Sequence, residues 1–143
     1  MALESIPAFY GSRGGRVCRA YNEAAFRLFL AVDRWRAERS TRSLLLVLVA
    51  VRQGPGTSAK LTAAAAAALF SGLGTCFREV DFVGWYREGR VAAAVLAQGV
   101  NASGEVPHLI AERVLPILRK GLSADQSSNL RVRVVRLGGR VRV

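Results

Sequence analysis

The chain has little of what most catalytic and metal chemistry is built from. Its 143 residues include one histidine and two cysteines. Cys18 and Cys76 lie far apart without a C-x-x-C spacing, so neither a disulfide framework nor a zinc site has support. Free thiols in a reducing cytoplasm are the expectation. His108 has no second histidine with which to hold a metal and no evident nucleophile with which to form a triad, so it reads as a surface residue at a helix start. Long apolar runs are also missing: a membrane span takes ~18 to 20 consecutive apolar residues, and the longest run, Leu44 to Val51, is far shorter. The first residues lack a signal-peptide pattern. No repeat emerges at a solenoid period.

Acidic residues are scarce as well. Ten carboxylates face 21 basic residues, a formal charge of +11 carried almost wholly by arginine. That imbalance points to an anionic partner such as a nucleotide, nucleic acid, phosphate-rich lipid or acidic protein, against the plainer alternative of a basic surface that serves solubility. What is abundant is apolar: 51% of the residues, enough to exclude disorder and to build the core of one domain.

Residues 1–19 carry Pro7, Gly11, Gly14 and Gly15 without a period and read as an N-terminal arm, with the domain proper over residues 20–143. Gly11-Ser12-Arg13-Gly14-Gly15 could cradle a phosphate, but a dinucleotide loop needs a strand before it and the pattern offers none, which favours a flexible leader. From the N-cap candidate Asn22, apolar residues recur at Ala25, Leu28, Phe29, Val32 and Trp35, predicting an amphipathic helix that ends near Ser40. Leu44 to Val51 is a strand buried on both faces, stopped by Gln53-Gly54-Pro55-Gly56. Thr57 or Ser58 caps an alanine-rich helix over Ala59 to Phe70, closed by Gly72 and Gly74.

A hairpin follows. The aromatic and β-branched stretch from Thr75 to Tyr86 and the apolar run Val91 to Leu96 flank Arg87-Glu88-Gly89-Arg90, whose glycine can take positive φ. A helix starts at Pro107, with Pro116 removing one backbone donor and predicting a kink. Leu130-Arg131-Val132-Arg133-Val134 alternates as a half-buried strand, and Gly138-Gly139 can turn it into a terminal hairpin ending at Val143. The order is a helix followed by β-α-β-β-α-β, an α/β (α+β) ferredoxin-like plan with two helices on one face of an antiparallel sheet.

Certain residues carry a resemblance. Arg19-x-Tyr21-Asn22-Glu23-x-x-Phe26-x-x-x-Leu30, then Ser43-Leu44-Leu45-Leu46-Val47, then Arg78-x-x-Asp81 five residues before Arg87-Glu88-Gly89-Arg90-Val91 resemble the GGDEF domains, the diguanylate cyclases of bacterial cyclic di-GMP signalling. In that family the hairpin turn carries Gly-Gly-Asp/Glu-Glu-Phe, and here the spacing is kept while that signature is replaced. The likeness covers roughly residues 19–137, and the family's closing helix has no counterpart after Gly139.

The resemblance implies specific departures. The family holds divalent metals with carboxylates at the end of its first core strand and in the turn. Those positions fall at about Leu48 and Ala50, and at Gly89 and Arg90, none of which can ligate a metal; Glu88, one position early, reads as a solvated turn residue. The family's guanine-reading Asn and Asp have no counterpart in Gly54-Pro55-Gly56. A catalytically inactive domain without a cofactor is therefore expected.

Arg78 and Asp81 resemble the family's inhibitory, product-binding pair, with Arg113 as a supplementary arginine, and imply cyclic di-GMP as ligand. The chemistry fits, because arginine bonds guanine O6 and N7 in a bidentate way and a carboxylate accepts from N1–H and N2–H. The alternative is a plain surface ion pair. A homodimer, an effector protein and a membrane complex reached through other regions are the further partners this reading allows. DNA is not expected. RNA is disfavoured, because Val91-Ala92-Ala93-Ala94-Val95 offers no aromatic for base stacking. A structural or dimerisation module without a ligand is the other functional class.

Overall fold

The computed structural model describes residues 8–13, 16–40, 42–76, 80–98 and 106–138. Their elements in chain order are β1 (Ala8–Arg13), β2 (Arg16–Tyr21), α1 (Glu23–Glu38), β3 (Ser43–Gly54), β4 (Thr57–Ser58), α2 (Ala63–Cys76), β5 (Val80–Arg87), β6 (Val91–Gln98), α3 (Val106–Arg119), α4 (Ala124–Ser128) and β7 (Leu130–Gly138). Strand β3 is central. It pairs antiparallel with β6 from Ser43 opposite Gln98 to Ala50 opposite Val91, and with β7 from Ser43 opposite Gly138 to Val51 opposite Leu130. With the β5–β6 hairpin, the core order β7-β3-β6-β5 is the ferredoxin-like arrangement expected from the element sequence.

Strict alternation along β3 divides the core into two layers. Leu45, Val47, Val49 and Val51 pack with Leu69, Phe70 and Leu73 of α2 and with Val114 and Leu118 of α3. Leu44 and Leu46 face the other way, with Val95, Phe26 and Ala37, under α1. A run that is apolar at every position is what a strand covered on both sides requires. Helix α2 lies close to its neighbour: a Cβ on Gly72 would come 2.5 Å from the Leu118 side chain, so the glycine serves contact with α3 inside a helix that continues to Cys76.

Several boundaries differ from the sequence expectation. Two stretches of the supposed arm are strands. β1 pairs antiparallel with β2, and β2 runs parallel to β5 with Ala20 opposite Val83 and Tyr21 opposite Gly84. Backbone pairing to a distant strand leaves no periodic trace in six residues, which is why the pattern was silent there. Gly11, Ser12 and Arg13 belong to β1, whereas Gly14 and Gly15 lie outside the described residues. Thr57 and Ser58 do not cap α2: they form β4 against the end of β3, and the Thr62 hydroxyl accepts the Ala65 N–H at 3.1 Å instead.

Asn22 caps α1 as expected, its Oδ1 accepting from Ala25 N–H at 2.8 Å. Helix α3 runs on past Pro116 to Arg119. The short α4, absent from the sequence reading, begins with a capping box in which Ser123 and Gln126 bond each other's backbone N–H. The expected terminal hairpin from Gly139 to Val143 falls outside the described residues.

Candidate functional site

The hairpin β5–β6 and the strand ends around it carry the residues on which function turns. At its tip, Gly89 takes φ of +74° and the Arg90 N–H donates to Arg87 O at 3.0 Å, closing a tight turn that a side chain at position 89 would strain. Two clasps hold this tip. The Leu61 N–H donates to Gly89 O at 2.7 Å and the Arg90 guanidinium to Ser58 O at 2.7 Å, joining the turn to the segment before α2. On the other side, Glu23 N–H donates to Glu88 Oε1 at 2.9 Å while Glu88 N–H donates to Glu23 Oε1 at 2.6 Å. Each carboxylate caps the other's backbone.

Glu88 is thus exposed, as expected, yet committed to the first turn of α1 rather than simply solvated. Pattern reading had no means of finding this clasp, since its members are 65 residues apart. Arg27 reinforces it: its Nε donates to Tyr86 O at 3.1 Å, it pairs with Glu23 at 3.3 Å, and its guanidinium lies 4.4 Å from the Tyr86 ring centroid.

The positions at which the resemblance requires metal ligands can now be located. Leu48 and Ala50 are half-buried on β3, on the face that carries α1, and Gly89 and Arg90 stand at the turn at the same end of the sheet. Among the described residues no three His, Cys, Asp or Glu side chains come together to hold a metal ion. An open polar cleft of about 380 Å³ lies beyond the end of β3, between Arg52, Lys60, Asp125 and Asn129.

Of the ligand-binding candidates, Asp81 and Arg113 lie elsewhere. Arg78 is outside the described residues. Asp81, described by its backbone alone, is the extra residue of a bulge near the start of β5, between Val80 opposite Leu96 and Phe82 opposite Val95. Arg113 is exposed on α3. Asp81 and the hairpin tip thus occupy opposite ends of one strand, roughly 20 Å apart at the usual rise per residue. The other singled-out residues take packing roles: Trp85 is buried edge-on against Phe70, with ring centroids 5.0 Å apart, and His108 sits exposed at the start of α3, 3.2 Å from Glu112.

The fold has a solved counterpart. The crystal structure of the FimX GGDEF domain from Pseudomonas aeruginosa superposes with a TM-score of 0.56 over 87% of this chain and 79% of that one, at 16% sequence identity. No protein-family model matches the sequence, and no curated protein does. The chain therefore has a GGDEF-like fold, as the resemblance implied; its sheet is mixed, with β2 parallel to β5, and α1 covers the face opposite α2 and α3, where the sequence reading expected an antiparallel sheet with two helices on one face. Among the described residues no helix is long and apolar enough to cross a membrane.

Proposed function

We propose that this domain is a catalytically inactive receptor for cyclic di-GMP, in bacterial second-messenger signalling, which binds its ligand through Arg78 and Asp81 with a contribution from Arg113. The observation that carries the reading is the contrast between the two ends of the β5–β6 hairpin in a GGDEF-like fold. At the tip, the positions where the family places metal-binding carboxylates are Gly89 and Arg90 in the turn and the apolar Leu48 and Ala50 on β3. At the base, the Arg-x-x-Asp spacing is intact. Guanidinium and carboxylate together match the guanine edge, and the surplus of arginine suits a ligand with two phosphates.

Calorimetric titration with cyclic di-GMP, alongside GTP and a short RNA, tests this. Arg78→Ala should cost on the order of 1 to 3 kcal/mol of binding if it makes the bidentate guanine contact. No GTP should be converted to cyclic di-GMP with Mg²⁺ or Mn²⁺; steady turnover would overturn the assignment of the turn. Binding that survives loss of both Arg78 and Asp81 would place the ligand elsewhere. A second reading, a protein-interaction module, is favoured by the stripe Leu28, Val32 and Trp35 on α1, where Trp35 is 58% exposed. Absence of any heat with cyclic di-GMP at high micromolar concentration would favour that module.

A further inference from the structure

Helix α1 is apolar on two sides. Phe26, Leu30 and Ala37 turn to the sheet and pack in its core layer. On the opposite side Ala24, Leu28, Ala31, Val32 and Trp35 are all exposed. A helix that only covers a sheet turns charged and polar residues outward, so this second apolar face is not required by the fold.

The spacing of that face is regular. Ala24, Leu28, Ala31 and Trp35 follow one another at steps of four, three and four residues, the seam along which one helix packs on another. Small and large side chains alternate, so Ala24 and Ala31 leave holes beside Leu28 and Trp35 that the knobs of a facing helix can enter. An open hollow of about 390 Å³ continues the seam on one side, between Leu30, Ala31 and Trp35 of the helix and Tyr86 of β5. From Ala24 to Trp35 the seam runs three turns, about 16 Å. A bilayer is flat and makes no use of holes or a hollow, which favours a protein helix over a membrane surface.

Charge selects the partner. The seam is flanked by Arg27 and Arg34 on one side and by Val32 and Arg39 on the other. A second copy of α1 would meet repulsion in either direction: Arg27 would face Arg34 if the helices ran antiparallel, and Arg34 would face Arg39 if they ran parallel. Arg27 and Arg34 have carboxylate partners on their own helix, Glu23 at 3.3 Å and Glu38 at 3.4 Å, with all four side chains about half exposed. Exposed pairs of this kind are worth little and exchange readily for a new partner. Among the described residues no carboxylate pairs with Arg39, whose guanidinium lies 4.9 Å from the Trp35 ring centroid. In a chain of net charge +11, the complement is a helix with glutamate or aspartate beside its apolar seam.

We propose that α1 docks an acidic amphipathic helix of a partner protein along Ala24, Leu28, Ala31 and Trp35, with Arg27, Arg34 and Arg39 pairing its carboxylates. The proposal rests on the interaction-module reading and gives that reading its partner; it does not involve Arg78 or Asp81.

The probe is a labelled peptide of three heptads, roughly 21 residues, with leucine along the seam and glutamate at the flanking positions, so that it repels its own copies and stays monomeric. Added to the full chain, it should shift the emission of exposed Trp35 to the blue, Trp85 being buried already, and its anisotropy should saturate. Trp35→Ala and Leu28→Gln should each weaken binding about tenfold or more, as loss of a central anchor does. Leu109→Gln, at an exposed leucine on α3, should leave the affinity unchanged, as should Arg78→Ala. A peptide with the same seam and lysine flanks should bind about tenfold more weakly or worse. Equal binding of the two peptides, no binding of the acidic one, or binding that Trp35→Ala and Leu28→Gln leave intact would overturn the proposal. So would a dimer of the chain, seen by sedimentation, that Leu28→Gln dissolves, or attachment to phosphatidylglycerol vesicles that Trp35→Ala abolishes, since each gives the seam another occupant. None of these results alters the titration with cyclic di-GMP, so the two readings fail separately.

Discussion

Gly84→Ala tests how the N-terminal strands are attached to the core. Gly84 is buried in β5 at the point where β2 runs alongside it, with Tyr21 as its partner. A Cβ built there would lie 2.6 Å from Tyr21 O, 2.9 Å from Tyr21 N and 2.9 Å from the Phe26 ring. Two of those three atoms are backbone, so no rotamer change relieves the clash. Either β2 moves off β5, or the first turn of α1 moves with Phe26, which is fully buried. Overpacking of this kind typically costs about 1 to 3 kcal/mol. Against it stands a gain of about 0.4 to 1 kcal/mol from the reduced freedom of the unfolded chain. The net expectation is a loss of about 1 to 2 kcal/mol, a fall in Tm of roughly 3 to 8 °C for a domain of this size.

The assay is urea denaturation followed by circular dichroism, with Gly54→Ala as reference. Nothing lies within 4 Å of a Cβ at Gly54 and its φ is not positive, so that variant should be neutral or slightly stabilising. A Gly84→Ala protein as stable as Gly54→Ala would refute the close approach of β2 to β5.

Other outcomes follow from the same geometry. Phe26→Ala removes a fully buried ring that meets Phe82 at 5.3 Å between centroids, and should cost about 3 to 5 kcal/mol in the same denaturation experiment. Asn22→Ala deletes the α1 cap and should cost about 1 kcal/mol, with Asn22→Gly costing less.

The order of elements was legible in the chain itself, because each core element carries its own local signal. Leu44 to Val51 is apolar without a break, Asn22 precedes a helical period, Gly89 sits between two strand-like runs, and Leu130 to Val134 alternates. The spacing between Arg78, Asp81 and the Arg87 turn was equally a one-dimensional property, and it led to the GGDEF-like fold that the solved counterpart shares. Tertiary structure decided what depends on partners distant in sequence. β1 and β2 become strands only because β5 offers β2 an edge, and six residues of weak period cannot announce that. Thr57 and Ser58 look like helix caps until the end of β3 pairs with them. The mutual capping of Glu23 and Glu88 exists only because α1 packs beside the β5–β6 turn, a contact between residues 65 apart that no stretch read alone can show.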